Sequence, residues 1–282
     1  MLRLLQLALL PALATSAGLG HIYSVATNGT TNNDNFLDLD LTTWEVSVGP
    51  DLGPGFETFG QAAAVVDSVY WLFNLGNRRS ALLTGIDVAT RAVAYNLDAS
   101  QWPLGGTYFF EAVFAQADGH SLLVVGSYGS AAPGLLVLYS IAAPKSAAPV
   151  VTHLGNVTCP DYCADAAFHA PSGTLYLTSG ASDTSSGSLV EVSLSAPGGP
   201  AITRTSPLAN FFDFKQVAAD GGLFGLSLWS APGGPARNLT RLDSALAPVD
   251  EGAIGDGLYV VLEDGPKAYD AATQRAFYSA WG

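Results

Sequence analysis

Residues 113–122 read Val-Phe-Ala-Gln-Ala-Asp-Gly-His-Ser-Leu: an apolar run, a tight Asp-Gly turn and the start of a second apolar run. An Asp-Gly pair between apolar runs is a strong short-range signal for a β-hairpin. The pattern of apolar run, tight turn and apolar run occurs five times, at residues 64–71, 113–122, 167–176, 217–224 and 253–259. A hairpin that recurs every few tens of residues predicts a repeat architecture.

The spacing of these turns indicates the size of the repeat. The turn residues Asp67, Asp118, Ser172, Asp220 and Asp256 lie 51, 54, 48 and 36 residues apart. A period of this length with two hairpins per unit is typical of a four-stranded propeller blade. In the unit around Asp67, further strands are expected at 69–73, 81–87 and 92–95. We therefore expect an all-β chain forming a single β-propeller of six four-stranded blades, with seven blades as the alternative.

The two ends of the repeat region are less regular. Apolar runs at 21–25, 36–41 and 44–48 supply an earlier unit without an obvious first strand. The C-terminal stretch 278–282 is the candidate for helping to close the ring. Because no long Pro/Gly/Ser linker divides the chain, residues 18–282 are expected to form one domain.

The composition fits such a compact chain and limits its partners. Hydrophobic residues make up 49% and charged residues 12% of the 282 residues, while 31 Gly and 16 Pro supply many turns. The net charge of −13 argues against nucleic acid or an anionic membrane surface as a partner, since both attract clustered Lys and Arg. We expect a monomer without a membrane span that binds a protein, a glycan or a small molecule.

The first seventeen residues have the features of a secretory signal peptide. A basic start is followed by a short apolar run and by small residues at Ala14 and Ala17, where cleavage is expected. Three Asn-x-Ser/Thr triplets, at Asn28, Asn156 and Asn238, are candidate N-glycosylation sites, and glycosylation of this kind occurs in the secretory route. The sequence therefore predicts an extracellular, secreted glycoprotein.

The only two cysteines lie close together, at Cys159 and Cys163. In an oxidising compartment such a pair most often forms a disulfide bond. The alternative is a zinc site completed by His153 and His169, which are near in sequence.

A second recurring element has an Asp followed three positions later by Thr. It occurs at Asp87-Val-Ala-Thr90 and Asp270-Ala-Ala-Thr273, with a related form at Asp40-Leu-Thr-Thr43. The Asp is expected to accept backbone N–H bonds in the following turn. These turns resemble those of the quinoprotein-like and surface-layer-type (YVTN) β-propeller repeats, which implies a propeller fold. No quinone cofactor is expected, because the adjacent cysteines and repeated Trp motifs of quinone-dependent dehydrogenases are absent.

Counting seven residues back from three of the hairpin turns reaches a carboxylate each time: Glu111, Asp165 and Asp213. In the last unit, the residue seven positions before the turn is Val249. A shift of two positions in this spacing would place Glu251 there instead. The earliest full unit breaks the pattern, with Gly60 at this position. Seven strand residues span about 23 Å, roughly the height of a blade. Each acid is therefore expected at the start of an innermost strand, at one mouth of the central channel.

Carboxylates that converge on a channel suit an oxygen-liganded cation or an ammonium group. We therefore predict Glu111, Asp165, Asp213 and Glu251 as ligand-binding residues, and the first three as ligands of a possible Ca²⁺. Alternatively, acids at strand entrances accept backbone N–H bonds and keep the rim soluble. The duplication of a blade would copy them without any selected site.

Two functions follow from these alternatives. The first is a binding or adhesion module without catalytic residues. The second is a hydrolase resembling six-bladed lactonase-type propellers, in which acids and an Asn hold a divalent cation, Ca²⁺ or Zn²⁺, that polarises an ester. Asn210 is the adjacent candidate for that Asn. The binding module is favoured, because no Gly-x-Ser-x-Gly, His-Glu-x-x-His or phosphate-binding loop is present.

Overall fold

The computed structural model describes residues 21–27, 34–40, 42–43, 45–53, 63–74, 82–99, 102, 109–127, 134–160, 163–179, 187–208, 211–217, 223–231, 234–242, 248–253, 267–270 and 275–278. Within these ranges, the side chains of Glu111, Cys163, Asp165 and Asp213 lie outside the description. From residue 208 onward, side chains are described at Leu223 and Leu242 only.

The described residues form antiparallel sheets that follow one another along the chain. Sheet 1 contains β1 (His21–Thr27), β2 (Asp34–Asp40) and β3 (Val46–Asp51). Sheet 2 contains β4 (Ala64–Val66), β5 (Val69–Asn74), β6 (Leu82–Asp87) and β7 (Val93–Asp98). Sheet 3 contains β8 (Phe109–Ala115), β9 (Leu122–Ser127), β10 (Leu135–Ala142) and β11 (Val150–Thr158).

Two further four-stranded sheets and one pair of strands complete the described part. Sheet 4 contains β12 (Cys163–His169), β13 (Thr174–Ser179), β14 (Gly187–Ser193) and β15 (Ala201–Leu208), with a 3-10 turn at Ala170–Ser172 between β12 and β13. Sheet 5 contains β16 (Phe211–Val217), β17 (Leu223–Ala231), β18 (Gly234–Leu242) and β19 (Pro248–Ala253). Sheet 6 contains β20 (Lys267–Asp270) and β21 (Arg275–Tyr278).

This arrangement confirms an all-β chain built from four-stranded antiparallel sheets. It also confirms the three strands of the earliest unit, which form sheet 1. No α-helix occurs in the described ranges, and within them no helix is long and apolar enough to cross a membrane. The expected signal peptide, Asn28, Gly60 and the turn at Asp256 lie outside the described residues.

Apolar clusters between consecutive sheets hold the described part together. Phe36 of sheet 1 packs with Tyr70 of sheet 2, and Trp71 of sheet 2 lies in one cluster with Tyr139 of sheet 3. Sheets 3 and 4 share a further cluster, and a smaller one joins sheets 4 and 5. Sheets 1 to 5 therefore pack successively, each on the next one in sequence.

The middle strands are apolar on both faces because both faces are covered. In β9, Leu122 and Val124 pack toward sheet 2, whereas Val125 packs toward sheet 4. Successive strand side chains point to opposite faces, so burial on both faces requires a continuous apolar run. This explains why the runs after the hairpin turns lack alternation of polar and apolar residues.

The Asp-x-x-Thr turns form as expected. The Asp87 carboxylate accepts hydrogen bonds from the backbone N–H groups of Ala89 (3.1 Å) and Thr90 (2.8 Å) and from the Thr90 hydroxyl (3.0 Å). Asp40 accepts the backbone N–H groups of Thr42 and Thr43 in the same way. These bonds hold the pKa of both carboxyl groups below its usual value.

Candidate functional site

Three of the four predicted acids occupy the same place in three neighbouring sheets. Glu111, Asp165 and Asp213 are each the third residue of β8, β12 and β16, the first strands of sheets 3, 4 and 5. β12 contacts both β8 and β16, so these first strands lie side by side. The acids therefore lie near the start of adjacent strands, as the count from the turns predicts.

The expected position of Glu251, at the start of an innermost strand, is wrong, whereas its role as a ligand-binding residue stays a prediction. It lies in β19, the fourth strand of sheet 5, at the opposite edge of the sheet from β16. The backbone of β19 pairs with β18, with Thr240 opposite Asp250 and Leu239 opposite Gly252. Since β19 does not begin a sheet, Glu251 does not belong to the row of the other three acids.

The register of sheet 4 places residue 165 on a defined face. Asp165 pairs with Thr178, and Thr178 pairs with Leu189 in the next strand. Leu189 belongs to the cluster between sheets 4 and 5. Because directly paired residues share a face, position 165 lies on the face turned toward sheet 5.

The register of sheet 5 gives the corresponding result for residue 213. Asp213 pairs with Leu226, three positions from Leu223, which packs toward sheet 4. Alternation along the strand places Leu226 and position 213 on the face turned away from sheet 4. Asp165 and Asp213 therefore occupy equivalent faces of successive sheets.

Glu111 lies at an irregularity of the strand ladder. Phe110 pairs with Gly126 and Ala112 pairs with Val125, so Glu111 is the extra residue of a β-bulge. A similar register shift next to Asp165 leaves Ala164 unpaired. Bulges redirect side chains and are over-represented next to active sites.

One buried polar group near this row was not expected. Thr178 is 2% exposed, and its hydroxyl oxygen is buried without a hydrogen-bond partner. It lies directly opposite Asp165. No sequence signal singles it out, because Thr is an ordinary strand residue.

The histidines of the predicted alternatives have local partners. His153 Nε2 lies 2.9 Å from Asn156 Oδ1, and His169 Nδ1 lies 2.8 Å from the Ser172 hydroxyl. His169 ends β12, at the other end of the strand from Asp165. Among the side chains that the structure describes, no group of three His, Cys, Asp or Glu is placed to hold a metal ion.

Other charged clusters lie at contacts between the edges of sheets. His120 Nδ1 is 2.8 Å from Asp67 Oδ1, and Lys145 Nζ donates to the Asp67 carbonyl at 3.0 Å. The His120 and Asp67 side chains are 74% and 36% exposed, so their contact contributes little stability. These residues join the turns of sheets 2 and 3.

Comparison with known proteins identifies the type of fold but no family. No protein-family model and no curated protein matches the chain. Among solved structures, a gluconolactonase from Xanthomonas campestris is similar at a TM-score of 0.54 and 13% identity, over 87% of this chain and 79% of that one. TolB from Acinetobacter baumannii is similar at a TM-score of 0.53 and 14% identity, over 89% of this chain and 55% of that one.

Hydrazine synthase from Kuenenia stuttgartiensis gives a TM-score of 0.53 at 9% identity, over 95% of this chain and 76% of that one. These neighbours are propeller-type proteins, so the resemblance to propeller repeats is confirmed at the level of the fold. The chain spans only about half the length of TolB. At such identities the likeness concerns the fold alone.

Proposed function

We propose that the protein is a secreted, six-bladed β-propeller that binds a protein, glycan or small molecule through a positively charged group of that ligand. The proposed binding site is the end of the innermost strands at which Glu111, Asp165 and Asp213 lie, and we call this end the mouth of the channel. The observation that carries this proposal is their equivalent position, third in three adjacent first strands.

The physical basis is the summed field of the acids. Several carboxylates at one level between low-dielectric walls concentrate negative potential and attract cations. The chain as a whole reinforces this field, with 24 acidic against 11 basic residues. A divalent cation or an ammonium group fits such a place better than an anion does.

The sheets and the cysteines support the remaining parts of the proposal. Six sheets follow one another in sequence order in the described ranges, which supports six blades. Cys159 is 3% exposed just after β11, and Cys163 opens β12, so a disulfide would close the connection between sheets 3 and 4. No free thiol is found among the described residues. A disulfide and the N-terminal signal both suit secretion.

The lactonase-like hydrolase is the second candidate, because the same acids could hold a catalytic Ca²⁺ or Zn²⁺. A cation held there would polarise an ester carbonyl and activate water. It requires a neutral oxygen or nitrogen partner such as Asn210, which lies outside the described residues. The binding module requires only the acids.

Calorimetric titration of the secreted protein with calcium chloride, and separately with spermidine as an ammonium probe, tests the proposal. We expect binding of at least one probe, lost in the double variant Glu111→Gln/Asp213→Asn. The control is Glu45→Gln/Glu191→Gln, which removes the same charge outside the first strands. Binding of neither probe, or equal binding by the two double variants, would overturn the proposal.

A lactone-hydrolysis assay with and without a chelator separates the two candidates. Turnover of a simple aliphatic lactone that stops with the chelator and returns with calcium or zinc would favour the hydrolase. Cation binding without turnover would support the binding module.

A further inference from the structure

The turn between β8 and β9 contains the dipeptide Asp118-Gly119, and both residues are exposed. An Asp-Gly pair is chemically labile, because glycine has no side chain to hinder the approach of its nitrogen to the aspartate carboxyl group and has much backbone freedom. Ring closure between these two groups leads to isoaspartate. Whether the pair reacts in the folded protein depends on how the turn holds both groups.

The reaction has two steps and needs no reagent except water. In the first step, the Gly119 nitrogen loses its proton and forms a bond to Cγ of Asp118, while the protonated carboxyl group loses its oxygen as water. The product is a five-membered succinimide ring. In the second step, water adds to one of the two ring carbonyls. Opening at the main-chain carbonyl gives isoaspartate, in which the chain runs through the former side chain, and opening at the other carbonyl restores aspartate.

The folded turn fixes the carboxylate that would be attacked. Its Oδ1 atom accepts the backbone N–H groups of His120 at 2.9 Å and Ser121 at 2.8 Å, and its Oδ2 atom accepts the Ser121 hydroxyl at 2.6 Å. Ring closure would break these bonds. They also lower the Asp118 pKa, that of the Ser121 hydroxyl first, so the protonated form from which water leaves is scarce at neutral pH.

The attacking nitrogen is engaged as well. The Gly119 N–H donates to the Gln116 carbonyl at 3.0 Å. The Gln116 side chain donates in turn to the Leu122 carbonyl at 2.9 Å and to the Ser140 hydroxyl at 2.7 Å, so the turn is tied to β9 and β10. Both reacting groups are therefore held by hydrogen bonds as long as the turn stays closed.

We propose that Asp118-Gly119 is a modification site, at which isoaspartate forms when the β8–β9 turn opens locally, and that Ser121 is the residue that keeps it closed. Ser121 is 8% exposed and supplies two of the three bonds to the carboxylate. Local opening requires less free energy than global unfolding, so the rate of modification follows the opening of this turn. None of these groups belongs to the acid row, and the modification is independent of the proposed ligand.

The modification would also affect a contact between two sheets. Isoaspartate adds a methylene group to the main chain and moves the carboxylate away from the N–H groups of His120 and Ser121. His120 Nδ1 lies 2.8 Å from Asp67 Oδ1, in the first turn of sheet 2. The modified protein should therefore have a lower thermal midpoint than the unmodified protein.

The experiment is a prolonged incubation of full-length wild type, Ser121→Ala, Ser121→Thr and Ser172→Ala at neutral pH and body temperature. Peptide mass spectrometry then measures the isoaspartate fraction at Asp118. We expect Ser121→Ala to react about two- to tenfold faster than wild type, the range that corresponds to the loss of one hydrogen bond. Ser121→Thr keeps the hydroxyl and should react like wild type. Ser172→Ala is the matched control, because its hydroxyl lies in the corresponding turn of sheet 4 and should not affect Asp118.

A synthetic peptide of residues 113–122 gives the rate of the open turn. Wild type should react at least about tenfold more slowly than this peptide, because the closed turn dominates in the folded protein. Equal rates in wild type and peptide would overturn the protection by the fold. Equal rates in wild type and Ser121→Ala would overturn the role of Ser121. A peptide that reacts while neither protein does so would overturn the modification site itself.

Discussion

The Nδ1 atom of His21 lies 2.7 Å from Oδ1 of Asp38, across the first hairpin of sheet 1. The other Asp38 oxygen lies 3.5 Å from Nη2 of Arg91, in the turn between β6 and β7 of sheet 2. Asp38 is 7% exposed, and these two residues are its ion-pair partners among the described side chains. The aromatic ring of Tyr23 stacks on His21, and burial followed by the nearby Asp38 charge raises the Tyr23 pKa. A polar connection thus joins two sheets that otherwise share an apolar cluster.

Removal of the Asp38 charge is expected to destabilise the fold. Asp38→Asn keeps the size but weakens the hydrogen bond to His21 and removes the charge that attracts Arg91. A hydrogen bond to a buried charged group contributes about 1.5–3 kcal/mol. We expect a loss of this order in the free energy of unfolding, measured by urea denaturation. Glu191→Gln is the control, because the Glu191–Arg204 pair (3.3 Å) is more exposed and should contribute less than about 1 kcal/mol. Equal effects of the two substitutions would contradict the inter-sheet role of Asp38.

Gly85 in β6 has no room for a side chain. A Cβ atom there would lie 2.8 Å from Val69 Cγ1 and 2.9 Å from Trp71 Cζ3, and both neighbours are fully buried. Gly85→Ala should therefore cost about 1–3 kcal/mol through overpacking and change the tryptophan fluorescence of the native state.

Relief of this clash offers an internal control. In Val69→Ala/Gly85→Ala the atom nearest to the new methyl group is removed. The double variant should therefore lose less stability than the sum of the two single losses, as contacting residues do. Strict additivity would show that the predicted contact with Val69 is not the cause.

Asp118 is expected to contribute to stability mainly above acidic pH. Its carboxylate accepts the Ser121 hydroxyl at 2.6 Å and the His120 and Ser121 backbone N–H groups at 2.9 and 2.8 Å. These bonds, that of the Ser121 hydroxyl first, lower the Asp118 pKa from 3.8. A depressed folded pKa adds stability above the unfolded value and loses it as pH falls through the folded value.

Asp118→Asn should therefore destabilise the protein slightly at pH 7, by less than about 1 kcal/mol because the group is exposed. The difference in the free energy of unfolding between the variant and wild type should become smaller in acid, below pH 3.8. Urea titrations at neutral and acidic pH measure it. A difference that stays constant between these pH values would contradict the ionic contribution.

If the protein is secreted as proposed, its two cysteines should be oxidised. Denatured, unreduced protein should show no reactive thiol, and reduction should release two. Cys163→Ser should leave one reactive thiol, at Cys159. Two reactive thiols in freshly secreted wild type would contradict the disulfide.

Among the acceptor asparagines whose strands are described, Asn156 should carry the glycan. It is exposed in β11, the outermost strand of sheet 3, whereas Asn238 lies in β18, which is paired on both sides by β17 and β19. Asn156→Gln should remove a glycan mass that the enzyme peptide-N-glycosidase also removes. Asn238→Gln should leave the mass of the secreted protein unchanged, and the reverse pattern would contradict this assignment.

Much of the fold could be predicted because its signals are local. An Asp-Gly turn between apolar runs needs only neighbouring residues, and the Asp87 and Asp40 turns form with the expected bonds. The strands predicted around Asp67 correspond to β5, β6 and β7. The placement of Glu111, Asp165 and Asp213 near strand starts follows from the same local count.

The error at Glu251 shows the limit of that count. A first strand and a fourth strand both read as an apolar run before a turn, so the local pattern does not distinguish them. The pairing of β19 with β18 shows that the strand containing Glu251 is the fourth strand of sheet 5. Pairing between strands is a property of the folded sheet.

The sequence by itself determined the repeated hairpins, the Asp turns and the position of three acids near the start of their strands, because these features depend on residues a few positions apart. Only the tertiary structure decided that position 165 lies opposite the unpaired Thr178 hydroxyl and that Arg91 of the neighbouring sheet lies 3.5 Å from Asp38. Both relationships depend on strand register and on the packing of successive sheets. They join residues that are distant along the chain.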